Sequence, residues 1–140
     1  MAIQFRLSAK DCSDRAIRIR DIDPTERDKV SIDTATEVGK DATGAQYAVT
    51  EARNLITICL VGVTKSAVAS DDALLALPAS EWIPLNPEKL SADPTAPTHY
   101  SKLFSPKEDS IIAGIVRRRN NATTDEIDSI LGKAMAVAES

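Results

Sequence analysis

Residues that carry chemistry are scarce in this chain. Its 140 residues include one histidine, two cysteines and five glycines. The lone histidine, His99, has no sequence neighbour that would orient a base or supply a nucleophile. There is no Gly-x-Ser-x-Gly, no glycine-rich phosphate loop and no metal-ligand spacing. Cys12 and Cys59 do not make a disulfide framework. Cys59, inside Leu55-Ile-Thr-Ile-Cys-Leu-Val61, reads as a small buried hydrophobe, and Cys12, in a polar turn, as an exposed free thiol. This usage fits a reducing compartment. No run approaches the roughly 18 apolar residues that span a bilayer, and Met1-Ala-Ile-Gln-Phe-Arg-Leu7 lacks the features of a signal peptide. These absences predict a soluble cytoplasmic protein that is not an enzyme, with no cofactor, catalytic residue or metal site.

Aromatic residues make up only 4%, so the core must be aliphatic. The net charge of -4 argues against a dedicated nucleic-acid binder, whose affinity depends on neutralising phosphates. Arg117-Arg118-Arg119 before a turn and a capped helix superficially suggests helix-turn-helix. The would-be recognition helix opens with Asp125, Glu126 and Asp128, the wrong sign for a phosphate backbone. The arginines are better explained as cations at a helix C-terminus, paired with the acidic helix start that follows or docked on a partner.

What the chain does have is helix punctuation. Asp23-Pro-Thr-Glu26, Ser105-Pro-Lys-Glu108 and Thr123-Thr-Asp-Glu126 each place a capping oxygen three residues before a glutamate, the capping-box pattern. The first two add proline at the first helical position. Ile3, Phe5 and Leu7, then Ile17 and Ile19, alternate with polar residues around the turn-rich segment 8–14, which predicts a β-hairpin with Arg18 and Arg20 on one face. A first helix is expected over 24–38, stopped by Gly39, with a thin apolar stripe of Val30, Thr34, Ala35 and Val38. A second is expected over about 45–64, greasy all round in its C-terminal half; a strand competes there because of the β-branched content.

Five of the seven prolines lie between Pro78 and Pro97, so residues 65–104 read as a proline-rich connector with a short helix near 71–77. Trp82 and Ile83 within it either pin the connector to the body or anchor a partner's surface. A helix from Pro106 to about Arg119 buries Ile111, Ile112, Ile115 and Val116. Another carries Ile127, Ile130, Leu131, Ala134 and Ala138 on one face. The short turn between them makes an antiparallel hairpin the default. The expected fold is α+β, mainly α: hairpin plus two helices over 1–64, connector over 65–104 and helical hairpin over 105–140, one domain in all.

Several of these phrases travel together. Ile17-Arg-Ile-Arg-Asp-Ile-Asp-Pro-Thr-Glu-Arg27 leads into a helix, a long apolar helix and a variable connector follow, and the chain closes on Lys102-Leu-Phe-Ser-Pro-Lys-Glu-Asp109, Thr124-Asp-Glu-Ile-Asp128 and Leu131-Gly-Lys-Ala134. In phrasing and architecture, over about 15–64 and 100–138, the chain resembles the tail assembly chaperones of long-tailed bacteriophages. The resemblance implies a non-enzymatic helper in the infected cell's cytoplasm that binds the tape-measure protein and recruits tail-tube subunits. No catalytic residue carries over. The residue pattern by itself nominates Arg18, Arg20, Trp82, Ile83, Arg117, Arg118 and Arg119 as partner-binding, with self-association left open and no membrane partner. A virion structural protein, such as a head–tail connector or capsid-associated protein, is the nearest alternative. A small DNA-binding regulator is a more distant one.

Overall fold

Period-two alternation places Ile17 and Ile19 on one face of strand β2 (Ala16–Arg20) and Arg18 and Arg20 on the other. The computed structural model, which describes residues 2–85, 102–122 and 124–139, pairs β2 antiparallel with β1 (Ala2–Arg6), Gln4 opposite Arg18 and Phe5 opposite Ile17. The loop between them closes through Leu7 N–H to Arg15 O at 2.8 Å and Asp14 N–H to Leu7 O at 3.0 Å. Asp11 and Asp14 take positive φ there, which short polar side chains tolerate.

Helix α1 (Pro24–Val38) begins as its cap dictates. Asp23 accepts the Glu26 N–H at 2.8 Å, and Glu26 in turn accepts the Asp23 N–H at 3.2 Å. Gly39, at φ 76°, ends it. Only Val30 and Thr34 of this helix are buried. Helix α2 (Gly44–Cys59) has its own capping box, Thr43 with Gln46. Here the structure corrects the expected helix to 64. The helix stops at Cys59, Leu60 turns extended (ψ 112°), and Leu60–Thr64 forms β3.

Strand β3 pairs β2 on one side and β4 (Trp82–Pro84) on the other. A central strand covered on both faces reads as a continuous apolar run, which is why its periodicity is mute. The sheet order is β1-β2-β3-β4, antiparallel throughout, with a bulge where Ile19 faces Leu60 and Arg18 faces Gly62.

The sheet also corrects the reading of residues 81–85 as extended connector. Ser70 caps a short helix α3 (Asp71–Leu75), a 3-10 turn (Ala79–Glu81) follows, and β4 joins the sheet, with Lys65 N–H to Glu81 O at 2.9 Å closing the excursion. Pro84 is tolerated because β4 is an edge. The rest of the connector, including Asp93 to Pro97, His99 and Tyr100, lies outside the described residues.

Helix α4 (Pro106–Asn120) is capped by Ser105 and buries Ile112 and Val116 completely, with Ile111 and Ile115 half-buried. The main core joins Leu7, Ile17, Leu55, Ile56, Val63 and Ile112 between one sheet face and α2 and α4. The opposite face carries a smaller cluster of Ala16, Val68, Leu74 and Trp82. Helix α5 (Thr124–Glu139) departs from expectation: the residues meant to seal the C-terminal hairpin, Ile127, Ile130 and Leu131, are 47%, 68% and 55% exposed. The Thr123 cap and the side chains of Ala134 and Ala138 fall outside the described residues.

Candidate functional site

The residues nominated from sequence are divided among several places, and most of their polar atoms are already occupied. Arg18 stacks over the Trp82 ring at 4.2 Å from its centroid and donates to Gln4 Oε1 at 3.1 and 3.3 Å. Trp82 is 7% exposed, so it cannot anchor a partner's surface without leaving its own cluster. The ring fits because residue 62 is glycine: a Cβ there would stand 3.3 Å from Trp82 Cε3. Ile83 points to the other face of β4, beside Val63, and remains partly exposed at the sheet edge.

Arg20 donates to Glu26 at 2.6 and 3.1 Å and to Ile58 O at 2.9 Å. The Arg20 hydrogen bonds, followed by the Asp23 backbone N–H, hold the Glu26 carboxyl below its ordinary range. At the far end of α4, Arg119 forks onto Asp21 at 2.7–3.0 Å, Arg117 lies 3.8 Å from Glu51, and Arg118 is exposed. The arginine run is therefore a tether for two of its members, and the acids it meets are Asp21 and Glu51.

Among the described residues, the buried carboxylate belongs to Glu108. It accepts from Ser13 Oγ at 2.6 Å, Ser13 N–H at 3.2 Å and Ser105 N–H at 3.1 Å, with Arg15 at 3.8 Å. Burial pushes its pKa up, but the donors from Ser13 and Ser105 outweigh burial and hold it below the ordinary carboxylate range. A carboxylate so satisfied is a poor base. Its geometry fastens α4 to the β1–β2 loop. Burial likewise pushes the Cys59 thiol up to about 11, which leaves it un-ionised and unreactive. Cys12 is half-buried against the main core, not exposed as its polar turn suggested. Among the described residues, no three His, Cys, Asp or Glu side chains gather to hold a metal, and no helix is long and apolar enough to cross a membrane.

The concave feature that sequence reasoning did not name is a groove of about 360 Å³ between α1 and α2. Val30, Thr57 and Ile58 line it, with Glu26, Lys29, Asp33 and Glu37 at its charged rim. Lys29 and Arg53 pair with Asp33 and Glu37. Arg53 also keeps a buried Nε with no acceptor among the described residues. The signal in the sequence was the thin stripe of α1: a helix that buries two side chains against its neighbour leaves a cleft alongside. Comparison with known protein families, curated proteins and solved structures returns no match.

Proposed function

We propose that this chain is a non-enzymatic assembly protein that holds a segment of another protein against its α1–α2 groove. The thin attachment of α1, with Val30 and Thr34 as its only buried residues beside a cleft lined by Val30 and Ile58, carries the reading. An amphipathic helix laid in such a groove supplies the apolar cover that α1 lacks, with its charged flanks beside the Lys29–Asp33 and Arg53–Glu37 pairs of the rim. The resemblance of Ile17 to Arg27 and of the Lys102 to Ala134 phrases to phage tail assembly chaperones gives the partner class. That class is the tape-measure protein of a long-tailed phage, with tail-tube subunits as recruits, in the host cytoplasm.

Capture of a tape-measure fragment co-expressed with this chain tests the reading. Asp33→Lys with Glu37→Lys, which breaks both rim pairs and turns the rim cationic, should weaken capture roughly tenfold. Equal capture by the variant removes the groove from the reading. No capture by the wild type, or stoichiometric recovery of the protein in purified virions, removes the chaperone assignment.

A further inference from the structure

Two surfaces of this chain are unfinished, and they are complementary. Helix α5 exposes Ile127, Ile130 and Leu131 at helical spacing, with Asp125 and Asp128 exposed in its first two turns. Separate from the α1–α2 groove, α2 and α4 enclose an apolar groove of about 300 Å³, lined by Ala48, Val49, Ala52, Ala113 and Gly114 and ending at Arg117. Val49 is 66% exposed there.

Gly114 is informative. A glycine inside an exposed helix turn costs about 1 kcal/mol relative to alanine. A Cβ at residue 114 would meet nothing within 4 Å, so this chain's own packing does not require glycine. Close approach of another backbone is one use for a glycine in such a place.

In its own chain α5 leaves this groove unfilled. Asn121 leaves α4 extended, at φ -128° and ψ 135°. Arg27 of α1 pins this turn through Asn120 O at 2.9 Å and Asn121 Oδ1 at 2.7 and 2.9 Å. The link to Thr124 is three residues, about 10 Å at full stretch. A short link between two elements that suit each other favours exchange between copies.

We propose that α5 covers the α2–α4 groove of a second copy of this chain, making a reciprocal helix-swapped dimer. Running antiparallel to α4 of the second copy, α5 sets Ile127, Ile130 and Leu131 against Val49, Ala113 and Gly114. Its acidic start, at Asp125 and Asp128, meets the cationic end of that α4 at Arg117 and Arg118. The exchange is isologous, so both grooves fill and the assembly closes at two copies.

Light scattering on the purified full chain tests this. Wild type should have the mass of two chains. Ile130→Asp with Leu131→Asp, which spoils α5, should have the mass of one, and so should Gly114→Trp, which fills the groove from a position with open space. Far-UV circular dichroism should be unchanged in both; Val49→Glu repeats the groove test if the tryptophan variant does not fold. Mixing the α5 variant with the groove variant should restore a dimer, because one intact α5 still finds one intact groove. A monomeric wild type overturns the proposal. So does a groove variant that stays dimeric, as a direct α5–α5 pairing would require, or a mixture that stays monomeric.

Discussion

Gly62, Trp82 and Arg18 show how one residue's absence of a side chain sets another's place. Gly62 lies in the central strand β3, where glycine weakens pairing unless something covers it. Trp82 covers it, and Arg18 closes the stack from above. The magnitudes rank the three. Trp82→Ala should lose about 3–5 kcal/mol, as large-to-small aromatic substitutions in cores do. Removing the Arg18 cation–π contact should cost about 0.5–1 kcal/mol, or somewhat more where desolvated. Gly62→Val forces the ring to move and should cost about 1–3 kcal/mol. Urea unfolding followed by tryptophan fluorescence reads the Arg18 and Gly62 variants from one chromophore, since Trp82 is the only one, and far-UV circular dichroism reads Trp82→Ala. Gly62→Val should also red-shift native emission as the ring is driven toward water; an unshifted, equally stable variant removes the close-approach argument. The sequence suggested that Trp82 could pin the connector, but Gly62, the residue its ring covers, sat inside a segment assigned to a helix. Their relation was illegible until β3 was a strand.

At the scale of elements, signals that are local in the chain were legible and those that depend on pairing were not. The caps at Asp23 and Ser105 each use two residues three apart, and both helices start where those residues stand. The hairpin β1–β2 alternates cleanly because one of its faces is polar. Strand β3 follows a helix without a turn between them, and nothing in Ile58-Cys-Leu-Val61 changes composition where Cys59 ends one element and Leu60 begins the next. Strand β4 is three residues with a proline at its end, and it exists because β3 offers an unpaired edge.

The cap at Thr43 is a similar lesson on a smaller scale, since its third-residue partner is Gln46 in place of glutamate. Thr43→Ala should cost about 1 kcal/mol and speed hydrogen exchange in the first turn of α2, while the α4 amides keep their protection. Unchanged exchange at Gln46, whose N–H the Thr43 hydroxyl accepts at 3.1 Å, contradicts a capping role.

For the molecule as a whole, the question is what binds a C-terminal helix to a β-hairpin more than eighty residues earlier in sequence. The core answers in part, since Ile112 and Val116 are buried against it. The polar ties at the two ends of α4 differ in kind. Arg119–Asp21 is partly exposed on both sides, and a pair of that sort contributes about 0–1 kcal/mol. Glu108 is 3% exposed and accepts from Ser13 and Ser105, and hydrogen bonds to a charged group contribute about 1.5–3 kcal/mol, so losing it costs more.

The sign of the pH effect follows. The folded carboxyl titrates below its ordinary value of 4.5, so near that pH the unfolded chain binds the proton and the folded chain does not. Stability from Glu108 is thus complete above that value and is lost as pH falls through the folded pKa. Glu26 acts in the same direction, but its pair with Arg20 is about a third exposed and contributes less. Glu108→Gln should therefore lower stability at neutral pH by about 1–3 kcal/mol and flatten the acid limb of the stability curve, whereas Glu26→Gln should leave most of that limb in place. Denaturant melts from pH 7 to 3 decide it. If Glu108→Gln keeps the wild-type slope, the fastening of α4 to the β1–β2 loop does not rest on an ionised carboxylate, and the hydrophobic contacts of Ile112 and Val116 hold the two halves together unaided.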